Sequence, residues 1–386
     1  MATHVEENNT FKWNNAVLKD DRKKRDQSSP IFDALAEYYF IKQKKFDWSC
    51  SEKESLTKNK IKEYMISYIN RSLEPYINDL PFLKIQLPQD FPIRQEFDLI
   101  FDTNLRKFLD DRRIVKVTAY KGKASYIVPL SQYEIQKTAP NKLWSTGGFA
   151  ISLGYVGSIQ RLLTHLSHEI AHTYFYHHLD SDEPKRIIHD DLISKRGKWY
   201  QEFEGLTFEF GREILLPRKS FEKYIRNNYS NPSLENFLKI HKELGVSKEI
   251  LVQRILRDLK LWDACIFWGS VSLVTNDAES NKKIFVRNHD IRKGTSFTNL
   301  SIATELIDTN SELHQSIVSN VKENNKNISS IMIGKKNYNL EVTNSNIEPS
   351  QIYFTAILYG RCRQNSEVSQ SSKSISVDGK KGFQSL

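Results

Sequence analysis

The chain has 386 residues, a net charge of +9 from 56 Lys and Arg against 47 Asp and Glu, and 39% hydrophobic residues, among them 21 Phe, 17 Tyr and 6 Trp. That apolar and aromatic content excludes a wholly disordered protein, and 15 Gly with 11 Pro exclude a collagen-like or linker chain. No apolar run approaches the roughly 18 residues that span a bilayer, and the opening MATHVEENNTFKWNN has no signal-peptide core. Cys50, Cys265 and Cys362 show no disulfide or metal spacing, so a reducing cytoplasm and no membrane partner are expected. The basic excess invites a nucleic-acid reading. It is spread along the chain, however, and about +3 of it lies in the tail from Arg361 to Leu386, so nucleic acid is not expected as the main direct partner.

Four segments are expected: a flexible polar arm over 1–30, a domain over 31–262, a separate α+β module over 263–361, and a disordered tail over 362–386. Within the domain, helical spacing predicts helices over 31–45 and over 52–73, with Ser51 as a cap. A further helix is expected over 96–112. Strands follow over 113–120, 124–130 and 147–153, then a long helix from Ser158 to about His178. A polar loop over 180–191 leads to a helix from about Lys195 to Leu215 that stops at Pro217. Helical stretches follow at 219–228 and 232–261. After Trp262 the texture turns to strands over 264–274, 283–287, 331–333, 338–342 and 351–358, with one helix near 311–322.

The informative motif is His168-Glu169-Ile170-Ala171-His172. One helical turn separates the histidines, so both imidazoles leave one face and can grip one metal ion. Zinc suits such nitrogens and a site of three protein ligands with one open position. Glu169 stands beside that position as a candidate general base. Five residues alone also fit two surface histidines and a glutamate on a solvated helix. A third ligand at His178 would match the metzincin spacing, but that motif requires Gly where Phe175 stands, and a Met turn that is missing from the domain. His177 and His178 therefore read as a solvated helix end. An acidic ligand on the following helix is the alternative, and spacing leaves Glu202, Glu204, Glu209 and Glu213 all open.

The motif, followed some thirty residues later by Glu204-x5-Phe210-Gly211-x3-Leu215-Leu216-Pro217, resembles the ImmA/IrrE family of zinc metallo-endopeptidases. Those proteins carry a helix of the type E-x-E-A-N-x-F-A-x-x-L-L-x-P. A later phrase, Val246-Ser247 to Arg254-Ile255, is similar to the family's V-S-x6-R-L. The resemblance covers roughly residues 158–262. It implies a zincin-like α+β core, Zn2+ on His168, His172 and Glu204, and Glu169 as catalytic base. It also implies a restricted-specificity hydrolase, a protease whose protein substrate is a regulatory one such as a helix-turn-helix repressor. Leu206 and Phe208 depart from the family's acidic and Asn positions. They leave an alternative, a weak pseudo-peptidase serving as a ligand sensor or binding platform. His165 is expected to pack against the sheet. His189, Tyr200, Arg161 and Arg212 are candidates for stabilising an oxyanion.

Overall fold

A computed structural model describes residues 29–42, 57–77, 79–86, 96–122, 124–142, 144–155, 157–177, 182–194, 197–274, 283–323, 328–348 and 351–360. The arm over 1–28, Ser51, Cys50, His178 and the tail with Cys362 lie outside the described residues. The fold is mixed α+β, in two compact units, Met1–Trp262 and Asp263–Leu386.

The first unit begins with α1 (Pro30–Ala36), which runs on as a π-helical turn over Glu37–Lys42, and α2 (Lys58–Leu73). Thr57 caps α2 by accepting from Lys60 N at 3.3 Å. After β1 (Ile85–Gln86), the helix expected over 96–112 is only partly formed. Its first third is β2 (Glu96–Asp98) and β3 (Ile100–Phe101), and the helix itself is α3 (Thr103–Asp111). The reason is local. Phe97 and Leu99 are buried while Glu96, Asp98 and Ile100 are exposed, a period of two. Asp102 then starts the helix by accepting from Leu105 N at 2.8 Å.

Four elements follow: β4 (Ile114–Lys121), β5 (Tyr126–Leu130), α4 (Gln132–Thr138) and β6 (Gly148–Tyr155). The resulting four-stranded sheet has the order β2-β4-β6-β5. Its central pair, β4 and β6, is parallel, and both outer pairs are antiparallel. Val117, Ala119, Phe149, Ile151 and Leu153 bury these central strands.

From the end of β6 the chain enters α5 (Ile159–His172), capped by Ser158, which lays Leu162, Leu163, Leu166 and Ile170 into the core. This helix stops short of the expected His178. Thr173–Phe175 tighten into a 3-10 turn, and β7 (Tyr176–His177) pairs antiparallel with β8 (Lys185–Arg186) inside the expected polar loop. His177 is thus not a solvated helix end: it is half-buried, with its ring edge-on to Tyr38 at 4.1 Å.

After the short α6 (Asp190–Ile193) comes α7 (Tyr200–Leu215), which starts later than expected. Three helices close the unit: α8 (Arg218–Asn228), α9 (Leu234–Leu244) and α10 (Lys248–Val252), the last continuing as a π-helical turn over Gln253–Asp258. The helical stretch expected over 232–261 is divided at Gly245, whose φ of 60° forms a left-handed C-cap. Ser247 restarts it by capping α10.

The second unit is a five-stranded antiparallel sheet of order β10-β9-β13-β12-β11. Its strands are β9 (Ala264–Val274), β10 (Lys283–Lys293), β11 (Ser329–Ile333), β12 (Lys336–Glu348) and β13 (Gln351–Gly360). Two helices, α11 (Ile302–Ile307) and α12 (Glu312–Glu323), pack against it, and the first of them was not expected. Phe267, Leu306, Leu313, Ile317, Leu340 and Phe354 form the core between them. Cys265 lies in that core, and burial pushes its thiol up to about 12, far from reactive thiolate. Among the described residues no helix is long and apolar enough to cross a membrane.

Candidate metal centre

Two helices build the site. Along α5, residues 165, 168 and 172 share one face. Against that face lies α7, brought close by Gly211. A Cβ placed there would stand 3.2 Å from His168 N and 3.3 Å from His168 Cα, so only glycine allows this approach without the helices giving way. Mid-helix glycine is otherwise unfavourable by about 1 kcal/mol relative to alanine.

The four glutamates of this helix are sorted by their partners. Glu202 takes Lys58 at 3.0 Å and the Ser29 hydroxyl. Glu209 takes Lys62 at 3.1 Å. Glu213, 2% exposed, is gripped by Arg254 through two bonds of 2.6 and 2.7 Å. Only Glu204 turns to the histidines. His168 Nε2 lies 3.1 Å from Glu204 Oε2, His172 Nε2 lies 4.0 Å from Glu204 Oε1, and the two Nε2 atoms are 3.2 Å apart.

These three residues are a group that could hold a metal ion, with ligand atoms all within 4.8 Å of one another. The donor set is two imidazole nitrogens and a carboxylate oxygen, which suits zinc. Bonds of 2.0–2.1 Å to a tetrahedral ion put neighbouring ligands about 3.3–3.4 Å apart. Two of the three observed separations lie within about 0.3 Å of that, and the third closes with a small turn of Glu204. Burial, then His168 and Arg186, hold His172 well below the usual imidazole value, so its nitrogen keeps a free lone pair at neutral pH. His168 Nδ1 is buried without a hydrogen-bond partner among the described residues. No acceptor behind the ring therefore dictates its tautomer.

Glu169 is 4% exposed, and burial followed by the Glu204 carboxylate pushes it up to about 8. That value suits a carboxyl that exchanges a proton near neutral pH. Its surroundings include Tyr176, whose phenol is raised first by burial and in smaller part by Glu169. The Tyr176 oxygen accepts from Arg186 Nε at 3.2 Å and Nη2 at 2.7 Å, while Arg186 Nη1 donates to Asp190 at 2.5 Å. This clamped cation is the feature that sequence reasoning missed. The β7–β8 pairing, which carries no local signature in the sequence, sets it against Tyr176.

Aromatic rings back both imidazoles. Phe208 lies 4.2 Å from His168 and Phe203 lies 5.3 Å from His172, centroid to centroid. The far end of α5 is also anchored. Arg112, 5% exposed, donates to Thr173 Oγ1 at 3.0 and 2.8 Å and stacks 3.8 Å over Tyr174, whose carbonyl accepts from Tyr39 at 2.6 Å.

His165 packs against the sheet, with Nδ1 3.0 Å from Ser125 Oγ and 3.3 Å from Gly154 O. Of the oxyanion candidates, Tyr200 stands one turn before Glu204, and its phenol is raised by burial and then by Glu204. Arg161 is exposed on α5. Arg212 is instead committed to Asp258 at 3.0 Å, and His189 faces solvent beside Asp191 at 3.4 Å.

Fold and site together define an α+β protein with a two-histidine, one-glutamate group able to take a metal ion. No protein-family model matches the chain, and no curated protein matches it. Among solved structures a Mycobacterium tuberculosis transcriptional regulator is similar, at 11% identity, a TM-score of 0.35, and coverage of 86% of this chain and 81% of that one. A likeness of that degree bears on neither activity nor partners.

Proposed function

We propose that the chain is a zinc-dependent endopeptidase with a zincin-like core. The observation that carries this reading is the convergence of His168, His172 and Glu204 with Glu169 buried beside them. A zinc ion held there would supply Lewis-acid polarisation of a peptide carbonyl. The residues do the rest. His168 and His172 present ring nitrogens to the ion, and Glu204 presents a carboxylate oxygen. Glu169 would take a proton from the water whose oxygen attacks the carbonyl carbon, and return it to the amine nitrogen as the C–N bond breaks. The resemblance to ImmA/IrrE proteins points to a protein substrate, a helix-turn-helix repressor being the first to try, and the three scattered cysteines suit work in a reducing cytoplasm.

The test combines metal analysis with cleavage. The purified protein should carry one zinc ion, and His168→Ala should lose it. Glu169→Gln should keep zinc while cleavage falls by at least a hundredfold. Undiminished cleavage by Glu169→Gln would refute the mechanism.

A further inference from the structure

Phe208 is out of place for a core residue. It is 46% exposed, on a helix that buries Phe203, Leu206, Phe210, Ile214 and Leu215. Its neighbour in role, Phe203, backs His172 from within the core and is 4% exposed, so packing accounts for it. Packing does not account for Phe208. Its ring leans on His168 at 4.2 Å and 38°, with the remainder open to solvent. It stands one helical turn beyond Glu204, as Tyr200 stands one turn before it. With a rise of 1.5 Å per residue, the two aromatic residues stand about 6 Å along the helix axis on either side of Glu204. A peptide crossing the metal group thus meets an apolar wall next to the atoms that would react.

We propose that Phe208 is the specificity-determining wall of this site, and that it selects a large apolar side chain on the residue beside the scissile bond. The inference rests on the peptidase reading for its peptide ligand. Its physical basis is independent of turnover. An exposed phenyl face beside the metal group gains stabilisation only when another apolar group covers it. Differences in apolar contact of this size change selectivity by about 10–200-fold.

The experiment separates the two levels. Calorimetry on the zinc-loaded protein compares acetohydroxamate with a hydroxamate carrying a benzyl side chain. Wild type should favour the benzyl compound by at least tenfold, Phe208→Ala should bring the ratio of benzyl to acetohydroxamate affinity close to one whatever the acetohydroxamate affinity itself becomes, and Phe208→Leu should retain most of the ratio. Equal preference in wild type and Phe208→Ala overturns the proposal. A peptide library then reads the same variants by cleavage. Enrichment of Phe, Leu or Met beside the cut in wild type, lost in Phe208→Ala, supports it. A wild type that shows the hydroxamate preference but cuts no peptide overturns the peptidase reading and, with it, the peptide ligand proposed here.

Discussion

Replacing Arg254 by Met removes one charge from the interior and little volume. Arg254 is fully buried. It donates twice to Glu213 at 2.6 and 2.7 Å, twice to the Leu216 carbonyl at 3.0 and 2.6 Å, and once to Asp258 at 3.4 Å. The variant leaves Glu213 buried with Asn70 at 2.9 Å and Arg218 at 3.3 Å as its remaining donors. Breaking a buried pair from one side is unfavourable by about 3–5 kcal/mol. The surviving donors favour the lower end, so about 3 kcal/mol is expected, or roughly 6–12 °C in the melting of the first unit. Urea denaturation followed by tryptophan fluorescence measures it. The double variant Glu213→Met with Arg254→Met should lose less than Arg254→Met alone, since no lone charge remains inside. Acid supplies a second check. Burial raises Glu213, but Arg254, Asn70 and Arg218 outweigh it and hold the carboxyl below its ordinary 4.5. A lowered folded value gives stability that is present above pH 4.5 and is lost as pH falls through that folded value. The gap between wild type and Arg254→Met should therefore narrow on acidification below pH 4.5. A loss under about 1 kcal/mol at pH 7, the worth of a surface pair, would refute the reasoning.

Gly211→Val should separate α5 from α7, because even a Cβ there meets His168 backbone atoms at 3.2 and 3.3 Å. Zinc affinity by competition with a chelator should drop by at least tenfold, whereas Gly211→Ala should fall much less, because a single methyl asks the neighbouring helix to give by only a few tenths of an ångström; unchanged affinity in the Val variant would count against the close-approach argument. If the group binds zinc as proposed, a thousandfold excess of free zinc over its Kd should stabilise the first unit by about 4 kcal/mol relative to protein stripped with a chelator, roughly 8–16 °C in melting temperature. Glu204→Ala should show little of that zinc dependence, and an equal zinc shift in the variant would remove Glu204 from the metal group.

Much of this arrangement was legible in the chain, and the failures have physical causes. The strand alternation at 114–121 and 148–155 and the helix carrying His168 are strong periodic signals, and the sequence places them to within two or three residues at most ends. The segment 96–101 was misread because its apolar residues also fit a helix when Asp102 is not taken as a cap. The end of α5 was misread for a different reason. Tyr174, Phe175 and Tyr176 continue the apolar pattern, but Tyr39, Arg112 and β8 claim their backbone and rings from distant parts of the chain. Nothing local announces such partners. The clamp of Arg186 on Tyr176 is hidden in the same way, since it depends on one short antiparallel pairing.

The choice of Glu204 shows that periodicity held more than counting could extract. Residues on an α-helix advance by about 100° each. Glu202, Glu209 and Glu213 therefore fall within one stripe, which meets Lys58, Lys62 and Asn70 of α2. Glu204 lies about 200° from Glu202, on the opposite side. Gly211 is seven residues beyond Glu204, two turns along and nearly in line with it. The stripe that holds the glycine is the one that can approach another backbone most closely, and here that backbone is His168's. In the structure Glu204 and this glycine thus share the face of α7 that packs on His168. The three remaining glutamates are not idle surface: paired with Lys58, Lys62 and Arg254, they fix the rotation of α7, and with it the direction in which Glu204 points.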